Sequence, residues 1–182
     1  MQPWKHFRTI TKHRHTVIRH CFKAGIGWQG LGHDLSKYSP IEFFAGCKYY
    51  QGNRSPNAAE RDDKGYSEAW MHHKGRNRHH YEYWTDLSPK TGRYESVPMP
   101  REYLAEMVMD RIAACKTYQG KAYTDGSPLK YLMNSRERKL FHPQTLQELE
   151  FLLTMLRDEG EKNTFSYIKN NVLTGKPFPW EE

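Results

Sequence analysis

The chain has no cysteine pair at metal or redox spacing: Cys21, Cys47 and Cys115 are odd in number and no C-x-x-C occurs. Neither a disulfide framework nor a thiolate zinc site is signalled, so three reduced thiols are expected, with Cys21 and Cys115 in the core. Long apolar runs are missing too. Nothing approaches the roughly 20 residues that cross a bilayer, and the opening "MQPWKHFRTITKHRH" lacks the apolar centre of a secretory signal, so a soluble, cytoplasmic protein is expected, with no membrane partner. Strand signals are almost absent, as are internal repeats and low-complexity tracts.

What remains is helical patterning. Segments at about 5–24, 33–37 leading into 40–51, 66–84, 100–122, 128–135, 143–158 and 163–173 predict an all-α fold of about seven helices. Pro40, Pro100 and Pro143 sit at plausible first turns, where the missing N–H costs nothing. The 182 residues suffice for one core, and the expected organisation is a helical domain over 1–125 with a helical extension over 126–182 packed on it. The polar stretch "GNRSPNAAERDDKG" and the proline-bearing "DLSPKTGRYESVPMP" read as loops or lids. Leu146, Leu149, Leu153 and Leu156 form a stripe expected to pack on the core, the alternative being a homodimer face.

"GIGWQGLGHDLSK", from Gly25 to Lys37, contains a literal G-x-G-x-x-G. That fingerprint cradles a pyrophosphate only when it follows a strand and opens a helix. Upstream, His13, Val17, Cys21 and Ala24 mark one face of a helix instead, so the glycines read as a helix end and a turn that delivers His33-Asp34.

Ten histidines are many for this length. His13 lies on a helix, "WMHHKGRNRHHYEYW" holds His72, His73, His79 and His80, and "EMVMDRIAAC" sets Asp110 in an apolar helical stretch. A carboxylate between Val108, Met109, Ile112 and Ala113 needs a partner, either an arginine such as Arg111 or a metal ion that also gathers His13, His33 and Asp34. On one continuous helix His73 and His80 are about 10 Å apart along the axis, too far for one ion. If both ligate, the helix breaks at Gly75 or each serves a different ion; adjacent His79 and His80 point about 100° apart on a helix, so only one of them is expected to ligate. The alternative for this segment is exposed histidines on a basic helix.

The order His, His-Asp, His, His-His, Asp, with the wording "HDLSKYSPIEF", "AWMHHKGRNRHHYEYW" and "MVMDRIAA", resembles the HD superfamily of metal-dependent phosphohydrolases, and within it a family of small bacterial and phage proteins. The likeness runs from about His13 to Asp110. It implies an HD-type helical domain in which His13, His33, Asp34 and Asp110 hold a metal, and in which His73 and His80 recruit a second ion, with His72 and His79 as substitutes and His15 as a substitute for His13. It implies one or two divalent transition-metal ions (Mn, Fe, Zn, Co or Ni), Asp34 as the bridging carboxylate, Lys37 facing the charge that develops on a phosphoryl group, and a small phosphorylated metabolite or nucleotide as substrate. The G-Y-P element of the cyclic-dinucleotide phosphodiesterases is missing, which argues against that substrate.

Three other readings stay open. The same ligands suit a di-iron oxygenase. A metal could also serve stability alone, without turnover. The formal charge of +7, and the mixing of cations with aromatics in "WKHFRTITKHRH" and "KGRNRHHYEYW", suit nucleic acid, although the cations are spread along the whole chain. Lys74, Arg76 and Arg78 would at most steer an anion inward.

Overall fold

The structure is a computed structural model in which residues 1–181 are described. Over these residues it is all-α, 69% helical with eight α-helices and one small hairpin. Helix α1 (Pro3–Ala24) ends at Gly25, whose φ of 90° an L side chain would resist. A short α2 (Gly27–Leu31) follows and then a 3-10 turn over Leu35–Tyr38. Next come α3 (Pro40–Tyr49), α4 (Pro56–Lys64) and α5 (Glu68–Lys74). The hairpin pairs β1 (Thr85–Leu87) with β2 (Tyr94–Ser96), Thr85 opposite Ser96. The chain closes with α6 (Arg101–Gln119), α7 (Ser127–Asn134) and α8 (Pro143–Tyr167).

One apolar core links the long helices. It joins Val17 and Cys21 of α1, Leu104, Val108, Met109 and Ile112 of α6, and Leu149, Leu152, Leu153 and Leu156 of α8. The leucine stripe thus faces inward, and no part of it beyond the half-buried Leu146 is open to a second copy. All three cysteines are free and buried, Cys47 included.

Several expectations need correction. The stretch 52–65 is not all loop: Ser55 and Pro56 open α4, whose Ala59 and Glu60 are buried, Glu60 accepting from Ser67 Oγ at 2.7 Å. The segment 66–84 is not one helix, because α5 ends at Lys74, before Gly75. The stretch 85–99 holds the hairpin. The segments expected at 143–158 and 163–173 are joined by a kink at Gly160 (φ 78°, ψ 173°) and close in a π turn, Ile168–Val172.

Candidate metal centre

Three features bring His33 and Asp34 to the inner face of α1. Gly25 turns the chain back. Gly30 then lets α2 lie against α1, since a Cβ there would stand 2.4 Å from Cys21 Cβ. Arg14 of α1 clasps the returning strand, donating from Nε to the His33 carbonyl at 3.0 Å and from its other arm to the Leu31 carbonyl. Asp34 itself sits at φ 55°, ψ 22°, the one non-glycine residue at positive φ among the described residues. Asp tolerates this region better than most, yet such conformations gather where a side chain must be aimed.

What Asp34 is aimed at is a double set of donors. Asp34 Oδ2 lies 3.5 Å from His13 Nε2 and 3.3 Å from His33 Nε2. Asp110 Oδ1 closes this set, 2.9 Å from His13 Nε2 and 3.5 Å from His33 Nε2. The other oxygen, Asp34 Oδ1, lies 3.2 Å from His73 Nε2 and 3.6 Å from His79 Nε2, and His73 Nε2 is 2.9 Å from His80 Nε2. Within each set of four the donor atoms lie within 4.8 Å of one another. Donors about 2.1 Å from a common ion stand about 3.0 Å apart at right angles and about 3.4 Å apart in a tetrahedron, so the first set has the spacing of a coordination sphere, and the second has it around His73, with His80 farther from Asp34.

The unused atoms agree. The buried His13 Nε2, His33 Nε2, His79 Nε2 and both Asp34 oxygens have no hydrogen bond of acceptable geometry. Buried polar groups are almost always satisfied, and these five unsatisfied atoms, among eleven in the described residues, face the two donor sets.

The opposite nitrogens are held. Glu106 Oε1 faces His33 Nδ1 at 2.8 Å and His79 Nδ1 at 3.1 Å, while Gln29 Nε2 donates to Glu106 Oε2 at 2.6 Å. Glu42 Oε2 faces His73 Nδ1 at 2.7 Å. A carboxylate on Nδ1 fixes the N–H there and leaves the Nε2 lone pair free for an ion. Glu42 and Glu106 were not among the expected residues. Glu106 lies one turn before Asp110, on the same face of α6, and that i, i+4 spacing was the available signal.

Electrostatics also favours cations. Asp34, Glu42, Glu106 and Asp110 form one cluster in which Lys37 is the single Lys or Arg in ion contact among the described residues, 2.5 Å from Asp34 Oδ2. Burial alone would raise the carboxyl pKa values. His33, Lys37 and His73 instead hold Asp34 well below the usual range, and the close His13 and His33 imidazoles do the same for Asp110. Glu106 is brought down to about 2, against its burial, by His33 and His79. Burial opposes a charged His33, but Asp34, Asp110 and Glu106 together outweigh it and raise its pKa well above the ordinary value. His80 goes the other way, kept neutral by burial and by His79 and His73. Burial likewise opposes a charged Lys37, and Asp34 and Asp110 overrule it, so the ammonium persists.

His13, His33, Asp34, His73, His80 and Asp110 are therefore brought together, and five other readings of the sequence do not hold. His79 and His80 both reach the second donor set, because the chain between Gly75 and His80 is not helical and His80 is extended (φ −89°, ψ 130°). His72 lies outside both sets, its Nδ1 2.6 Å from Glu42 Oε1. His15 cannot replace His13: two residues on, it points to the outer face of α1 and is exposed. Asp110 is not paired to Arg111, which lies over the Phe141 ring. Arg78 is drawn away to the Tyr103 hydroxyl.

No curated protein and no solved structure matches the chain. It belongs to a family of unknown function, DUF5662, whose model matches residues 2–155 and so takes in every residue of both donor sets.

Proposed function

We infer that the protein is a metal-dependent phosphohydrolase working on a small phosphorylated metabolite or nucleotide. One observation carries the reading: a single buried carboxylate, Asp34, shares one donor set with His13, His33 and Asp110 and a second with His73, His79 and His80, the donor atoms of each set lying within 4.8 Å of one another. The order of these residues, with its resemblance to the HD superfamily, supports it. Asp34 Oδ2, His13, His33 and Asp110 would hold one divalent ion, and Asp34 Oδ1, His73, His79 and His80 the other. A pair of such ions lowers the pKa of water toward neutrality and supplies a nucleophile without a strong base.

The chain's own groups do the rest. Glu106 and Glu42 keep the protons of three histidines on Nδ1, so the Nε2 lone pairs stay inward. Lys37, with 28% of its side chain exposed beside a 2% exposed Asp34, stands where the buried centre meets solvent. It is the group placed to receive a non-bridging oxygen and stabilise charge as it spreads over a phosphoryl group.

The test is hydrolysis of p-nitrophenyl phosphate and its bis ester, read as p-nitrophenol released, and of a nucleotide panel, read as phosphate or pyrophosphate released, with Mn, Fe, Co, Ni or Zn supplied. Turnover that needs the ion and disappears in Asp34→Asn supports the reading. Lys37→Ala should keep its ions and lose about 10²- to 10³-fold in kcat, the usual effect of removing one stabilising donor. Fully loaded protein that hydrolyses none of these but consumes O₂ with iron bound would contradict it in favour of an oxygenase.

A further inference from the structure

The outer face of α1 plays no part in the metal centre. Helix α1 carries six Lys or Arg (Lys5, Arg8, Lys12, Arg14, Arg19, Lys23) and no Asp or Glu, so it alone accounts for six of the seven net positive charges. The cations are spread along the chain, but the acids that neutralise them elsewhere are missing here. Among the described residues Lys5, Arg8, Lys12, Arg19 and Lys23 have no ion-pair partner, and all five are exposed. Helices normally intersperse opposite charges at i, i+4, and an unbroken run of one sign repels itself.

Aromatic rings share the face. Trp4 is 69% exposed and Phe22 56%, and Trp28, just past the end of α1, is 86% exposed. Trp4 stacks on Phe7 at 5.9 Å between centroids. A groove of about 640 Å³ runs along the face, lined by Phe7, Arg8, Thr11, Lys12, His15 and Ile18 among others. From Lys5 to Lys23 the row spans about 27 Å at 1.5 Å per residue, with Arg8 to Lys12 and Arg19 to Lys23 each about 6 Å along the axis. That step is close to the spacing of phosphates on an extended strand.

We propose that the outer face of α1 binds single-stranded nucleic acid, its cation row tracking the phosphates and Trp4, Phe7, Phe22 and Trp28 stacking on bases. The arrangement fits a polyanionic strand better than a flat anionic bilayer. An interfacial helix keeps its apolar stripe apart from its cations, whereas here Arg8 and His15 lie only about 40° and 20° around the helix from Trp4, from 100° per residue. Groove plus cations plus stacking rings is how strands are held without sequence preference. The surface lies across α1 from His13, so this binding does not depend on the hydrolase reading.

The experiment is fluorescence anisotropy of a labelled mixed-sequence 15-nucleotide strand, with the whole protein, across a salt series. Saturable binding at low salt is expected, with log affinity falling against log salt at a slope of about −3, from roughly four or five phosphates at 0.7 each. Arg8→Glu/Arg19→Glu/Lys23→Glu should weaken it at least about 100-fold and flatten the slope. Trp4→Ala/Phe22→Ala should weaken strand binding about 10-fold and leave duplex binding nearly unchanged, as loss of stacking would. Circular dichroism and ion content, unchanged in both variants, separate loss of the surface from loss of the fold. Absence of binding at 50 mM salt, binding that ignores the charge reversals, or binding only to vesicles rich in phosphatidylserine would each overturn the proposal.

Discussion

At the scale of single residues the centre depends on Asp34, and its supports are carboxylates that face the Nδ1 atoms of its histidines. Glu106 faces two histidines at once. Glu106→Gln keeps the volume but replaces an acceptor that orders both rings, so affinity for the ions should fall about 10- to 100-fold. Titration of the metal-free protein with Zn or Mn reads this directly; an unchanged affinity would deny Glu106 its orienting role. Away from the centre, His6 and His20 are each 5% exposed, and each has its pKa lowered to about 4 by burial first, then by Lys37 and Lys116 respectively. The unfolded chain takes up those protons near the ordinary histidine pKa and the folded chain only near 4. Stability is therefore full above about pH 6.5 and falls as pH drops from about 6.5 to about 4, by up to about 3 kcal/mol per histidine. Denaturant melts at pH 7 and pH 5 should differ accordingly, and His20→Asn should reduce the difference.

At the scale of elements, the approach of α2 to α1 decides whether His33-Asp34 reaches His13. Gly30→Ala places a methyl group 2.4 Å from Cys21 Cβ, inside two helices that cannot both stay where they are. A loss of about 1 to 3 kcal/mol is expected from the overpacking, together with weakened ion binding, by melts and titration on the same variant. Gly92→Ala, with open space around it but a positive φ, should affect stability only. The long helices were legible because their apolar faces recur over three or more turns. Two short ones were not: α2 has five residues, two of them glycine, too few for any period, and α4 lies in a polar stretch where the Ser55-Pro56 start signal was outweighed by turn residues. The donor set was legible where histidines and an oddly placed Asp110 stood out. Glu42 and Glu106 escaped because a glutamate on a helix usually faces solvent; only the fold reveals that these two are buried against imidazoles. The pairing of His79 with His80 escaped because it requires the chain to leave the helix after Gly75.

At the scale of the whole molecule, both donor sets lie before Arg111, yet the core beneath them is completed by α8, whose Leu149, Leu152, Leu153 and Leu156 are fully buried. A fragment ending at residue 125 should therefore fail to fold cooperatively, by near-ultraviolet circular dichroism and a melt; a sharp transition in the fragment would show the C-terminal helices to be dispensable. Bound ions should stabilise the intact chain. At a free ion concentration 100-fold above Kd, each site adds about 2.7 kcal/mol, which for a chain of this size is roughly 5 to 11 °C in Tm.

The central claim is that Asp34 serves two ions at once, and the most direct measurement is metal stoichiometry by elemental analysis of untagged protein beside Asp34→Ala and Asp110→Ala. The parent should hold close to two transition-metal ions per chain. Asp110→Ala should keep the ion of the His73, His79 and His80 set and hold close to one, while Asp34→Ala should hold close to none. A parent that takes up neither Mn, Fe, Co, Ni nor Zn, or an Asp34→Ala variant that still binds two, would contradict the account.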